Sequence, residues 1–255
     1  MERVRLAIRT RHYSRSTEKA YSGWIRRFVL FHGKRHPSEM GAEEIAAFLT
    51  HLAVHCRVSA RTQNQALHAL LFLYSRVLQI ELPRISGIAP AKTTKRLPVV
   101  LGRDEVAVVL GTLTGTPKIM ATLLYGAGLR VMECCRLRVK DVDFRANQII
   151  VRAGKGQKDR VTLLPGSATL DLQRHLRRVE TQFHNDLLCG AGWVELPFAL
   201  DRKYPNAGHS WPWQWVFPAT SCYTDRETGQ RRRHHLHESV LQRAVARSVR
   251  DAGLT

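Results

Sequence analysis

The sequence predicts a mainly α protein with a small β component (α+β), and three observations carry that expectation. Apolar residues recur at three- and four-residue spacing along most of the chain, the period of a helix face. Two short β-rich runs, NQIIVRA and DRVTLLP, flank the turn Gly154-Lys155-Gly156 and read as one hairpin. Between residues 83 and 96 the apolar pattern lapses into a basic linker holding Pro83, Gly87, Pro90, Lys92, Lys95 and Arg96. A helical domain, residues 1–82, is thus expected to precede a second domain, residues 97–255.

In the helical domain, Arg9 to Tyr13 is basic, and Ser16 offers an N-cap to TEKAYSGWIRRFVLFH. Tyr21, Trp24, Ile25, Phe28 and Phe31 make one apolar face, with Lys19, Arg26 and Arg27 off it. His36-Pro37 breaks the chain before a second helix with Ile45, Phe48, Leu49 and Leu52 inward. Ser59 opens a third, SARTQNQALHALLFLYSRVLQI, cored by Leu67, Leu70, Leu71 and Leu78. Its first turns carry Arg61, Gln63 and Asn64, suited to phosphates or base edges or simply to a solvated helix face.

From Leu97 the pattern resets. LPVVLGRDEVAVVLGTL reads as an extended piece and then a helix, its acids Asp104 and Glu105 favouring the positive end. PKIMATLLYGAGL is apolar almost throughout, hence buried, and Gly126 and Gly128 end it. VMECCRLRVKDVDF is a further helix and a turn, and SATLDLQRHLRRVETQFHNDLL follows the hairpin as an amphipathic helix. HSWPWQWVFPAT is extended, TDRETGQRRRHHLH is a basic turn with Thr228-Gly229 at its tip, and HESVLQRAVARSVRDAGLT is a last amphipathic helix.

The 255 residues are 44% hydrophobic, enough for a sizeable core, and carry a formal net charge of +19. Such a balance points to a polyanionic partner. Arginine outnumbers lysine by about three to one, and guanidinium is the better fork for phosphate oxygens, so nucleic acid leads. No basic amphipathic helix stands apart to bind a membrane, the N-terminus has no secretory h-region, and no apolar run reaches spanning length. The five cysteines form no CxxC pair and read as reduced thiols.

Two positions suggest chemistry. Arg130 follows an apolar helix and two glycines, and Glu133, three residues on, could fix its direction; a phosphate-holding arginine and a purely structural ion pair both fit. Lys155 stands between two glycines at a hairpin tip, where it could reach a scissile phosphate and protonate a leaving alkoxide. The GxxxxGK[ST] of a nucleotide loop is absent, and Lys158 and Arg160 read as clamps on a nucleic-acid backbone. Trp211, His234 and His235 offer flat rings beside Arg232 and Arg233, a setting for extrahelical bases; Trp213 and Trp215 read better as core. Cys222, His234, His235 and His237 match no common zinc spacing, and neither a metal nor a cofactor is expected.

Together YGAGLRVMECCRLRVKDVDF and IIVRAGKGQKDRVTLLP resemble the tyrosine recombinase (phage integrase) family. Arg130 takes the place of its first catalytic arginine and Lys155 that of its catalytic lysine. Residues 1–82 resemble its helical core-binding (SAM-like) DNA-binding domain, and residues 97–255 its catalytic domain. LPFALDRKYPNAGHSWPWQWVFPA and RRRHHLHESVLQRAVARSVRDAGLT look like the insert region of the integron integrases, placing an insert at about 187–237.

The resemblance implies site-specific DNA recombination and integration. A tyrosine cuts one strand through a 3′-phosphotyrosyl bond, arginines stabilise the non-bridging oxygens, and a lysine protonates the leaving 5′-oxygen, without metal or nucleotide. The DNA contacts expected, from the charge and amide pattern, are Arg9, Arg11, Lys19, Arg26, Arg61, Gln63, Asn64, Lys95, Arg96, Lys158, Arg160, Arg232 and Arg233. Partners would be duplex or folded single-stranded recombination sites and, in an intact enzyme, other protomers, in a bacterial cytoplasm at the nucleoid. The family's HxLRH block, later histidine and nucleophilic tyrosine belong after a helix like VARSVRDAGLT, where this sequence stops at Thr255; Tyr204 and Tyr223 lie upstream. The expectation is a truncated catalytic domain, without second arginine, histidines or nucleophile, that binds DNA without cutting it. The alternative is a non-catalytic DNA-binding protein that modulates a full-length recombinase.

Overall fold

The computed structural model describes residues 1–82, 91–92, 99–154, 158–197 and 199–254. The chain divides into two units, Met1–Pro98 and Val99–Thr255.

The first unit is helical: α1 (Glu2–Thr10), α2 (Arg15–Phe31), α3 (Ala42–Val54) and α4 (Ala60–Phe72), the last running on into a π-helical turn, Leu73–Leu78. Each helix gives one stripe to a common core: Val4 and Ile8; Trp24, Ile25 and Phe28; Ile45, Phe48, Leu49 and Leu52; Leu67 and Leu70. Ser59 caps α4 by accepting the Thr62 N–H, whereas the cap of α2 lies two residues before the expected one, with Ser14 accepting from Thr17. Phe31 and Leu71 lie at the edge of their stripes and are exposed. Before α3, the Glu44 carboxylate accepts the Gly41 N–H at 2.7 Å, a cap with no Ser or Thr to announce it.

The second unit adds α5 (Arg103–Thr112), α6 (Gly115–Ala127) and α7 (Val131–Cys135), an antiparallel sheet in the order β1 (Val142–Asp143), β2 (Gln148–Val151), β3 (Arg160–Leu163), and the long α8 (Gly166–Leu188). In β2–β3, Gln148 faces Leu163 and Val151 faces Arg160. After α9 (Leu200–Lys203), a second hairpin, β4 (Pro218–Thr224) with β5 (Arg231–His235), leads to α10 (Glu238–Asp251). Its core gathers Ile119, Met120 and Leu123 of α6, Ile149 and Val151 of β2, Leu172 and Leu176 of α8, Phe217 and Leu241. This is the mainly α fold with a small β part that the sequence predicts. The helix expected at the start of VMECCRLRVKDVDF is five residues long, and the turn expected after it begins at Arg136 and runs through a short 3-10 turn, Val139–Asp141, into the sheet. Among the described residues no helix is long and apolar enough to cross a membrane.

Candidate functional site

Two glycines shape the approach to Arg130. A Cβ on Gly126 would come within 2.6 Å of Pro165 at the start of α8, so only glycine lets α6 lie so close. Gly128 has φ of +63° and ends α6 in the left-handed region, as a helix stop requires. The chain then buries Leu129 and reverses, so that Arg130 becomes the N-cap of α7 with 56% of its side chain exposed. The arginine thus stands out from a buried helix instead of being buried itself.

Glu133 is the hub beside it, its side chain only 8% exposed. Its Oε2 accepts the Arg130 N–H at 2.9 Å and Arg160 Nη2 at 2.6 Å; its Oε1 accepts Arg130 Nη1 at 2.7 Å and Arg160 Nη1 at 2.9 Å. These donors, the Arg160 side chain first, hold the carboxyl at about 2. β3 is fixed against α6 by Thr162 Oγ1 donating to the Ala127 carbonyl at 2.9 Å, and this brings Arg160 to α7. At the hairpin's open end the Gly154 N–H donates to the Lys158 carbonyl at 3.0 Å, and Asp159 accepts the Ala153 N–H. Lys158 is exposed there. Lys155 lies outside the described residues, as do Lys95 and Arg96.

In the first unit Lys19, Arg26 and Arg61 are exposed along α2 and α4. Arg9 forks onto Glu18 at 2.9 and 3.0 Å, and Arg11 donates to the Ala7 carbonyl. Gln63 and Asn64 have structural tasks: Gln63 donates to the Leu49 carbonyl, and Asn64 pairs with both backbone groups of Ala91, at 3.0 and 2.7 Å. Asn64 is engaged at both ends of its amide in this arrangement, Gln63 at its Nε2.

The arginines near the second hairpin also turn inward. Arg233 is 8% exposed, forks onto Asp186 of α8 at 2.7 Å to each oxygen and donates to the Ala219 carbonyl. Arg232 is held by Asp225, Gln230 and Thr228. Both were expected on DNA; in this structure Arg233 is engaged by Asp186 and Arg232 by Asp225 and Gln230. His235 is buried edge-on against Trp215, with Nδ1 2.8 Å from the Leu236 carbonyl oxygen. Desolvation lowers its pKa, and its ring is buried and not open for stacking on a base. His234 is exposed, and Trp211 is half-buried against Phe183, lining a groove of about 400 Å³ with Val139, Val142, Phe144 and Leu176. Trp215 is core, as the sequence suggests, and half-buried Trp213 lies beneath the Lys140 ammonium.

One buried cation gave no sign in the sequence. Arg138 lies 3.2 Å over the Trp215 ring and donates to the carbonyls of Trp213 and Glu195, both at 2.7 Å. Desolvation brings its pKa down to about 9. It ties the segment that follows α8 to the body of the unit.

Residues 1–84 match the model of the phage integrase N-terminal SAM-like domain, and residues 101–255 match that of the phage integrase family. An integrase/recombinase of Escherichia coli and one of Pseudomonas aeruginosa are each 48% identical to this chain over 255 residues, covering all of it and 76% of their own length. Two solved structures share the fold. A lambda integrase tetramer bound to a Holliday junction has a TM-score of 0.62 at 15% identity, covering 100% of this chain and 63% of that one. A lambda integrase(75-356) dimer bound to a COC' core site has a TM-score of 0.61 at 16% identity, covering 100% and 77%.

Proposed function

The chain belongs to the phage integrase family, the tyrosine recombinases, and from that premise we propose that Arg130 is its first phosphate-holding arginine in site-specific DNA recombination. The observation that carries this is the presentation of Arg130: on an N-cap after a glycine reversal, more than half exposed, its direction fixed by a carboxylate that is itself hidden. A guanidinium so held meets a non-bridging phosphate oxygen without first losing side-chain freedom. Lys155, next in the chain after Gly154, is the proposed donor of a proton to the leaving 5′-oxygen. Lys19, Arg26 and Arg61 on the first unit and Lys158 on the hairpin are the proposed backbone contacts, each exposed. The lambda integrase structures hold DNA in multimers, and we extend both partners, DNA and further protomers, to this chain.

The integron-integrase branch is the finer reading, supported by the residues after α8 that Arg138 anchors. Within it, Trp211 and exposed His234 are the contacts we retain for an extrahelical base of a folded single strand. No tyrosine of the 255 residues stands in the motif position of the family's nucleophile. For a polypeptide of these 255 residues alone, the reading we propose is DNA binding without strand cleavage. A strand-cleavage assay on folded single-stranded and duplex sites tests this: a salt-sensitive complex with no covalent adduct is expected. A covalent protein–DNA adduct formed by this polypeptide would overturn the inactive reading.

A further inference from the structure

The sequence pattern offers Arg160 as a clamp on a DNA backbone; the structure has both arms of its fork on Glu133. We propose that Arg160 is a positioning residue for Arg130, acting through Glu133, so that the three side chains form one unit presenting a single arginine to phosphate. The inference rests on the assignment of Arg130 made above.

A carboxylate has about four lone-pair sites, and Glu133 fills them with the Arg130 N–H, Arg130 Nη1, Arg160 Nη1 and Arg160 Nη2. Arg160 is thus the second half of the clamp that stops Glu133 turning, and a fixed Glu133 fixes Arg130. Glu133 with Arg130 alone would be a neutral pair, with little to attract an anion. Adding Arg160 leaves the trio one positive charge in excess. Among the described residues, Arg130 Nε and Nη2 have no hydrogen-bond partner, so that excess is presented on Arg130.

The same contact reaches the hairpin. A Cβ placed on Gly154 would stand 3.0 Å from Arg160 Nη1, 3.1 Å from the Lys158 carbonyl oxygen and 3.3 Å from Glu133 Oε1. The hairpin backbone therefore lies directly on the ion pair, at the residue that precedes Lys155. Arg160 Nη2 also approaches the carbonyl of Gly128, at 3.4 Å, on the turn that delivers Arg130. One guanidinium touches the turn before α7, the carboxylate of α7 and the end of the hairpin. A lysine could not do this, since its point charge cannot fork a carboxylate.

The test is a double-mutant cycle on the full chain with a fluorescein-labelled random-sequence duplex at low salt. Arg130→Ala and Arg160→Gln each weaken binding about tenfold, and the double variant also about tenfold, because the second change removes what the first has already undone. Arg160→Lys, which keeps the charge but cannot fork the carboxylate, also binds more weakly than wild type. A double variant weakened about a hundredfold, or an Arg160→Lys protein that binds like wild type, would restore the independent clamp and overturn the proposal. The Arg130 Nε–Hε resonance of the free protein separates this inference from the reading beneath it. It moves in Arg160→Gln and Arg160→Lys if Arg160 positions Arg130; an unmoved resonance overturns the proposal whatever the DNA does. If the resonance moves but Arg130→Ala binds DNA as wild type does, the positioning stands and the phosphate assignment of Arg130 fails. Should Arg160→Gln unfold the chain, Arg160→Lys keeps the charge and gives both readouts.

Discussion

Two arginine clusters of the second unit look alike in composition and differ in what remains free. Around Glu133, two guanidiniums share one hidden carboxylate and stay 56% and 36% exposed. Around the second hairpin, Arg232 and Arg233 each have their own carboxylate, Asp225 and Asp186, and their side chains are 14% and 10% exposed. The first cluster keeps positive charge at the surface; the second is neutralised and holds two segments together. The number of arginines in a stretch therefore says little about where a polyanion sits. The ratio of guanidinium to carboxylate in contact, and the exposure left over, says much more.

The comparison breaks most visibly where a carboxylate is removed from the neutral cluster. Asp186→Ala would leave Arg233 buried with its fork unpaired, and a loss of about 3–5 kcal/mol in unfolding free energy is expected from denaturant titration. An Asp186→Ala protein as stable as wild type would show that Arg233 turns outward easily and belongs with the DNA contacts after all. Arg138→Ala comes next. It strips two buried carbonyls of their donor and Trp215 of its cation, for an expected loss of about 2 kcal/mol with DNA affinity per folded molecule preserved.

The charged trio should show itself in acid. The folded-state pKa of Glu133 is depressed to about 2 from an ordinary 4.5. Its stabilisation is therefore whole above the ordinary carboxylate range and fades as the pH falls through about 4.5 toward 2. The stability difference between wild type and Glu133→Gln should be full at neutral pH and shrink across that acid window. A difference that stays constant with pH would mean that Glu133 contributes by packing and not by its charge.

Much of this was legible in the sequence because it is local. The stripe Trp24, Ile25 and Phe28, the Ser59 cap and the Arg130–Glu133 pair each lie within a helical turn or two, and the β2–β3 hairpin joins neighbouring runs. What escaped was set by distance along the chain. Arg160 finds Glu133 across 27 residues and Arg233 finds Asp186 across 47, and no periodicity announces either. Asn64 reads as a surface amide until Ala91, far along the chain, supplies both of its partners. The cap of α2 went to Ser14 instead of Ser16, a choice between neighbours that spacing alone does not settle. Family resemblance singled out Arg130 and Lys155, while the local pattern offered Arg160, Arg232 and Arg233 only as undifferentiated cations.

The central claim is that Arg130 is the more exposed arginine of its cluster and meets a phosphate. The most direct measurement is the affinity of wild type and Arg130→Ala for one duplex over a series of salt concentrations. Loss of one phosphate contact should weaken binding, per folded molecule, about tenfold at low salt and reduce the slope of log affinity against log salt by about one. Identical affinity and identical slope in the two proteins would contradict the claim.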